Sequence, residues 1–342
     1  MRNTNSDSDF IYSEDFIPEK EYKSSMGKFN YALRPAKNIE RKMLCETFAS
    51  LSCVSPIPKY RYIGFGSFEF VDFRLFHQRL GIYDMISIER EKNRKKQERV
   101  QCNLPYSCIQ MEWGISNEIL PTLDWNKRTI IWLDYDSVLN SEKLEDIRLV
   151  SGSLKSGSLL VVTVDSMPKN FENTTDDIHK TRYIELEKFV GKKKIPIHVK
   201  GKDLANWGLA EVSREIINNE IVQSLADRNS PLSTSSKISY KQLFNFHYDD
   251  GTKMLTVGGL FLNPTDQKKV DGDIFKHLDF IRADKSFYSI ETPVLTLREL
   301  RLLDKCLPKS VIDSRINWIP KEERLKYKKI YRYFPNYTEV EA

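Results

Sequence analysis

One stretch of the sequence constrains the fold more than any other: an apolar run, a glycine turn, an apolar helix and a second apolar run ending in an acid. It covers Tyr60–Glu89, and the turn reads Gly64-Phe65-Gly66-Ser67. After the turn, apolar residues recur every three or four positions, which is the spacing of a largely buried helix. The stretch therefore predicts strand, turn, helix and strand, in that order.

The glycines and the closing acid indicate a ligand above the turn. Glycine lets the backbone approach a ligand closely because it has no Cβ, and the free N–H groups of the following helix point to the same place. Along the chain, the separation of Glu89 from the second glycine, Gly66, is close to the value of about 20 residues that is typical of an acid that accepts the hydroxyls of a ribose. We predict a nucleoside-type cofactor here. The alternative is a tight strand–helix turn at Gly64 and Gly66, with Glu89 at a solvated strand end.

Strand and helix patterns alternate beyond this stretch. Three further apolar runs continue the alternation, which indicates a parallel sheet wound by right-handed crossovers. A hairpin then follows, because an Asp-Gly turn separates two runs of strand character. The three runs are Ser107–Trp113, Thr129–Leu133 and Leu159–Val164, and the hairpin strands are Gln242–Tyr248 and Met254–Leu262.

This order of elements resembles the class I S-adenosylmethionine-dependent methyltransferases. In that family a seven-stranded sheet carries a last strand that runs antiparallel beside the fifth. The segment Tyr62–Ser67 is similar to the family's first motif, and Glu89 takes the position of its ribose-binding acid. Trp113 and Gly114 take the place of its adenine-contacting loop, and Asp134–Asp136 stand at its fourth motif. The chain also resembles, more loosely, uncharacterised O-methyltransferase-like proteins.

The resemblance implies an α/β fold with a Rossmann-like, seven-stranded, mostly parallel sheet that ends in an antiparallel hairpin. Residues 59–165 and 240–263 then form the core, and residues 166–239 form a helical insertion. Residues 1–58 are expected to be an N-terminal arm and helix, and residues 264–342 a C-terminal helical extension.

The resemblance also implies a cofactor and its contacts. S-adenosylmethionine would lie over the glycine turn, and the unidentified methyl acceptor beside the fourth motif. Asp134 and Asp136 are the candidate catalytic residues, with Asp134 as the base. The alternative for Asp134 is that it caps the next helix or bonds backbone N–H groups of the loop. The candidate cofactor-binding residues are Gly64, Phe65, Gly66, Ser67, Glu89, Trp113, Gly114 and Asp134.

Two departures from the family pattern keep a second function open. Tyr62 stands where the family has an acid that anchors the methionine end of the cofactor, and Ser67 replaces a further glycine. The first interpretation is a methyltransferase, with O-methyl transfer favoured because the fourth motif lacks the (N/D)PP(Y/F) pattern of amino-methylating enzymes. The second is a catalytically degenerate, methyltransferase-like binding subunit of a larger complex, with or without nucleic acid. The antiparallel hairpin disfavours a dehydrogenase.

The amino-acid composition limits the classes of protein to which this chain could belong. A hydrophobic content of 40% supports a folded core, and a formal net charge of +5 is only mildly basic. The five cysteines form no CxxC pair, which predicts reduced thiols in a cytoplasmic protein and no metal site. The apolar runs are too short to span a bilayer, so we predict no association with membranes.

Two basic segments have alternative interpretations. Arg34, Lys37, Arg41 and Lys42 lie on a predicted helix and are expected to form a solvated face, with contact to an acidic partner as the alternative. The C-terminal segment Lys321–Tyr337 interleaves cations with aromatic residues. We predict an amphipathic helix docked on the core, and the alternative is a site for nucleic acid or a protein partner.

Overall fold

The computed structural model describes residues 34–168, 177–272, 274–312 and 314–336. Residues 1–33 of the predicted N-terminal arm and helix lie outside these residues, as do residues 169–176 of the predicted insertion. The last residue of the C-terminal segment, Tyr337, also lies outside them.

A single eight-stranded sheet runs through the described part of the chain. Its strand order is β3-β2-β1-β4-β5-β7-β6-β8. The first five strands are parallel, β7 runs antiparallel to both β5 and β6, and β8 is parallel to β6. The strands are β1 (Arg61–Gly64), β2 (Asp84–Glu89), β3 (Ile109–Trp113), β4 (Thr129–Val138), β5 (Ser158–Asp165), β6 (Ser239–Asp249), β7 (Lys253–Leu262) and β8 (Tyr288–Ile290).

Helices cover both faces of the sheet. Successive residues of β4 point to opposite faces, so Ile130 and Trp132 join one apolar cluster while Ile131 and Leu133 join the other. The helices are α1 (Pro35–Ser50), α2 (Val71–Leu80), α3 (Arg94–Cys102), α4 (Ser116–Ile119), α5 (Ser141–Ser153), α6 (Ile178–Val190), α7 (Gly208–Asn229), α8 (Pro264–Val270), α9 (Leu297–Asp304) and α10 (Lys321–Ile330).

The predicted fold class is confirmed, including the antiparallel strand beside β5. The sheet nevertheless has eight strands where seven were expected, because β8 lies in the segment predicted to be helical. Tyr288 of β8 pairs with Phe246 of β6. Asn245 holds the chain just before β8 by donating from Nδ2 to the carbonyls of Lys285 and Ser286. A three-residue strand has too little periodicity to be found in the sequence.

The long helix α7 lies inside the predicted insertion but packs directly on the sheet. Ile216, Ile217 and Ile221 of this helix belong to the same apolar cluster as Leu160 and Val162 of β5. The helix therefore completes the layer that α5 begins on this face. The boundary between core and insertion stays a prediction.

The C-terminal segment turns its aromatic residues inward. Tyr327 is buried, and its hydroxyl donates to Asp304 Oδ1 at 2.7 Å. Tyr333 is also buried, with its hydroxyl bonded to Glu46 of α1. Lys42, also on α1, donates to the Tyr333 carbonyl at 3.0 Å. These contacts agree with an amphipathic segment docked on the core, and they remove two aromatic rings from any surface that could stack on bases.

None of the helices in the described residues combines the length and the apolar character needed to cross a membrane.

The close approach of β7 to β5 can be tested at Gly258. A Cβ on this glycine would collide with the Leu160 carbonyl oxygen and lie 2.9 Å from the Val161 Cα. Because backbone cannot move aside easily, we expect Gly258→Ala to lower the free energy of unfolding by about 1–3 kcal/mol. Gly272→Ala is the matched control, since a Cβ there has open space around it. Chemical denaturation measures both variants, and equal stability of the two would contradict this packing.

Candidate functional site

A cleft of about 320 Å³ opens at the carboxyl ends of β1, β2 and β4. Carboxyl ends of neighbouring parallel strands share one edge of a sheet, so their loops surround a common crevice. The walls come from α1, the loop between β1 and α2, the residues that follow β2 and β3, and the start of α5.

The glycine turn has a fixed and strained shape. Its Gly66 N–H donates to Ser87 Oγ at 3.0 Å, and a Cβ on Gly66 would lie 2.7 Å from that oxygen and collide with the Phe70 ring. Ser67 has a φ of 53° and Phe70 a φ of 47°, in the left-handed region that L-residues avoid. Such backbone costs on the order of 1–3 kcal/mol per residue and persists only where the surroundings impose it. Buried Phe70 supplies that constraint.

Glu89 at the end of β2 lies against this turn. Only 6% of its surface is exposed, and its Oε1 accepts from the Ser67 N–H at 2.6 Å. Burial raises the pKa of the Glu89 carboxyl to about 7, although backbone hydrogen bonds from Ser67 and Gly66 act in the opposite direction. The structure thus brings the predicted acid and the predicted turn together.

A buried charge cluster centred on Lys37 forms another wall. The Lys37 ammonium lies 2.6 Å from Asp134 Oδ1 and 2.8 Å from Glu40 Oε2, and it donates to the Tyr248 hydroxyl at 3.2 Å. It also lies 4.4 Å from the centroid of the Trp132 ring. Burial raises the pKa of Glu40, and the Lys37 charge acts against that rise.

The prediction of a solvated cationic face on α1 is wrong for two of its four residues. Lys37 is 3% exposed and Arg41 is 5% exposed, and both line the cleft. The reason is that this side of α1 lines the cleft, where acids of other elements lie near its cations. Glu40 on the same helix has no exposed surface, and a buried acid needs a cation nearby, but its burial could not be read from the sequence.

Asp134 and Asp136 occupy different environments. Asp134 lies inside β4, at the last residue before its pairing with β5 becomes irregular, and accepts from Lys37, whereas Asp136 is exposed at the rim. The β4–β5 pairing becomes irregular between Asp134 and Val138. The cap of α5 is Asn140, whose Oδ1 accepts from the Lys143 N–H at 3.1 Å. The helix-cap alternative for Asp134 is therefore wrong.

A hydrogen-bonded group of Tyr135, Ser116 and Asp146 also lines the cleft. The Tyr135 hydroxyl donates to Asp146 Oδ2 at 2.6 Å, and Ser116 Oγ donates to the same oxygen. Burial raises the pKa of the Asp146 carboxyl. The Phe65 ring lies 5.5 Å from the Tyr135 ring, so the glycine turn and β4 meet here. Asp146 belongs to α5, and the sequence gives no local sign that it returns to the cleft.

The structure brings most of the predicted site residues to the cleft, but not all of them. Gly64 and Trp113 are absent from its lining among the described residues; Gly64 lies over the Tyr62 hydroxyl, and Trp113 packs partly buried on the core. The lining includes Phe65, Gly66, Ser67, Glu89, Gly114, Asp134 and Asp136 from the predicted set, and Arg34, Lys37, Arg41, Asp72, Tyr135 and Asp146 beyond it. In the part of the chain that the structure describes, no group of three or more His, Cys, Asp or Glu residues is placed to hold a metal ion.

Comparison with known families assigns the chain. A family model described as "Putative O-methyltransferase" matches residues 29–342, so the chain belongs to this family. The match confirms the resemblance to class I S-adenosylmethionine-dependent methyltransferases. No curated protein matches the chain.

Similar solved structures are distant in sequence. Trm1 from Pyrococcus horikoshii, in complex with S-adenosyl-L-methionine, is 11% identical with a TM-score of 0.43; the match covers 71% of this chain and 58% of Trm1. An O-methyltransferase family protein from Burkholderia thailandensis is 8% identical with a TM-score of 0.33, over 67% of this chain and 57% of that one. The N-methyltransferase NodS from Bradyrhizobium japonicum, with S-adenosyl-L-homocysteine, is 9% identical with a TM-score of 0.38, over 68% and 90%.

Burial of Glu89 makes stability depend on pH. Its pKa of about 7 exceeds the ordinary value of 4.5, so the folded state holds this proton more tightly than the unfolded state. The stabilisation is complete below pH 4.5 and is lost as pH rises to 7, by at most about 3 kcal/mol. Glu89→Gln removes this contribution. We expect wild type to lose more stability than the variant between pH 5 and 7.5 in chemical denaturation, and parallel profiles would contradict the assignment.

Proposed function

We propose that this protein is an S-adenosylmethionine-dependent O-methyltransferase whose active site is the cleft at the ends of β1, β2 and β4. The observation that carries the proposal is the meeting of the glycine turn with Glu89 in that cleft, on a sheet whose seventh strand is antiparallel. Family membership over residues 29–342 supports the same reaction class.

The residues present fit the cofactor. The turn leaves no room for a side chain at Gly66, so backbone is what faces the cleft there. Glu89 is a buried acid beside that backbone, suited to accept ribose hydroxyls in place of the Ser67 N–H. Gly114 and Ile115, which follow β3, line the same end of the cleft and would contact the base.

The acceptor would bind between α1 and the part of β4 that holds Asp134. When bound, S-adenosylmethionine supplies a methyl group already activated by a positively charged sulfur, so the protein mainly has to align the acceptor. The Asp134 carboxylate would accept the proton of the acceptor hydroxyl. The Lys37 ammonium, 2.6 Å from Asp134, would stabilise negative charge on the acceptor oxygen. Exposed Asp136 at the rim would pass the proton to solvent.

The catalytically degenerate alternative is not favoured by the family match. Tyr62 was the departure that supported it, and this residue is part of a hydrogen bond to an acid that lines the cleft. The site therefore does not lack a carboxylate at that end.

The cytoplasm is the compartment that we propose for this protein. Its five cysteines all lie in described residues, and each is a free thiol. Free thiols suit a reducing compartment, where disulfides are rare.

We propose no nucleic-acid partner for the C-terminal segment, since its buried tyrosines cannot stack on bases.

Cofactor binding tests the proposal directly. Isothermal titration with S-adenosylmethionine should show binding to wild type, and Glu89→Gln should weaken it at least about tenfold, because the hydrogen bonds it loses go to a charged group. Glu98→Gln, an exposed acid on α3, is the matched control and should bind as wild type does. The proposal fails if wild type releases no heat and gains no thermal stability with the cofactor.

A further inference from the structure

Tyr62 occupies the position at which the family has an acid. In this structure the Tyr62 hydroxyl contacts another acid, Asp72. We propose that Asp72, positioned by Tyr62, binds the amino-acid end of the cofactor together with Arg41, which lines the same cleft. The inference rests on the proposed function, and it assigns to the α1–α2 side of the cleft a ligand group that has both an ammonium and a carboxylate.

The Tyr62 side chain connects β1 to the first turn of α2. Its ring is fully buried against Phe73 and Phe76, and its hydroxyl donates to Asp72 Oδ2. A Cβ on Gly64 would come within 2.6 Å of that hydroxyl, so the glycine makes room for it. The phenol thus fills the space in which a shorter acid would stand and fixes a carboxylate at its far end.

Asp72 and Arg41 carry opposite charges and are buried to a similar extent. Asp72 is 8% exposed, Arg41 is 5% exposed, and both line the cleft. Burial raises the pKa of the Asp72 carboxyl, and the Arg41 charge acts against that rise. A buried carboxylate and a buried guanidinium on one wall are complementary to an α-amino acid, whose ammonium seeks the acid and whose carboxylate seeks the guanidinium.

The location of Asp72 agrees with this assignment. Its charge interacts with that of Glu89 on the nucleoside side and with that of Asp134 on the proposed reaction side. Asp72, Glu89 and Asp134 line the same cleft, so Asp72 is near both the region that the adenosine would occupy and the region of the transferred methyl group. The amino-acid part of the cofactor branches from the sulfur between them.

A purely structural role for Asp72 is the competing explanation. It lies in the first turn of α2, where an acid stabilises the helix dipole, and a residue with that role alone would affect stability without affecting one ligand more than another. The test therefore compares two ligands that share the nucleoside and differ in the amino-acid part.

Isothermal titration with S-adenosylhomocysteine and with 5′-methylthioadenosine, which lacks the amino-acid group, separates these explanations. Asp72→Asn keeps an acceptor for the Tyr62 hydroxyl and removes the charge. We expect it to weaken S-adenosylhomocysteine binding about 10- to 100-fold and to leave methylthioadenosine binding within about twofold of wild type. Glu89→Gln is the contrasting variant, since it should weaken both ligands.

Tyr62→Phe gives an independent reading, including the case in which Asp72→Asn does not fold. It removes only the positioning hydroxyl, so we expect about a 3- to 10-fold loss for S-adenosylhomocysteine and none for methylthioadenosine. Equal losses for both ligands, or no loss for either, in a variant that folds would overturn the assignment while wild-type binding upholds the proposed function. Wild type that binds neither ligand would overturn both.

Discussion

The contact between Lys37 and Asp134 is the interaction on which the site depends most. It joins a helix that precedes the sheet to a central strand, across 97 residues of chain. A charge buried as deeply as Lys37 is costly unless it is paired, and losing one partner of such a pair typically costs about 3–5 kcal/mol. Glu40 and Tyr248 share the ammonium, so α1, β4 and β6 are held in one arrangement.

The pairing of buried cations with acids also explains why the lining of the cleft is not basic, although the protein as a whole is mildly basic. Each of the three α1 cations that line the cleft has an acid of another element nearby. Lys37 contacts Asp134, Arg41 acts on Asp72, and Arg34 lies 3.9 Å from Asp250. These pairs place opposite charges side by side on one wall, which suits ligands that carry both signs better than ligands with a single negative charge.

The sequence identified the parts of this site that are local and missed those that depend on distant contacts. The Tyr60–Glu89 stretch and the hairpin carry their own turn chemistry, so glycines and an Asp-Gly pair were enough to predict them. Lys37 and Arg41 were assigned to solvent because charge periodicity on a helix does not tell what lies opposite. Asp146 gave no signal, since only the fold brings it to Tyr135.

Tyr62 shows a different limit. The sequence shows that an acid is missing at this position, but the contact of Tyr62 with Asp72, the acid that we propose in its place, is visible only once α2 is packed against β1. The eighth strand was missed for a related reason, because its three residues are selected by pairing with β6 rather than by their own pattern.

The short strand β8 affects how easily a second chain could add a strand to this sheet. By occupying the free border of β6, it leaves β3 at the other border of the described sheet. There Gln110 is exposed and Glu112 is partly exposed, and a polar, charged strand is a poor template for an incoming chain. The strand β8 thus replaces a border of 11 residues, which β6 would form, with one of 3 residues, and so short a border offers an incoming chain few backbone groups to pair with.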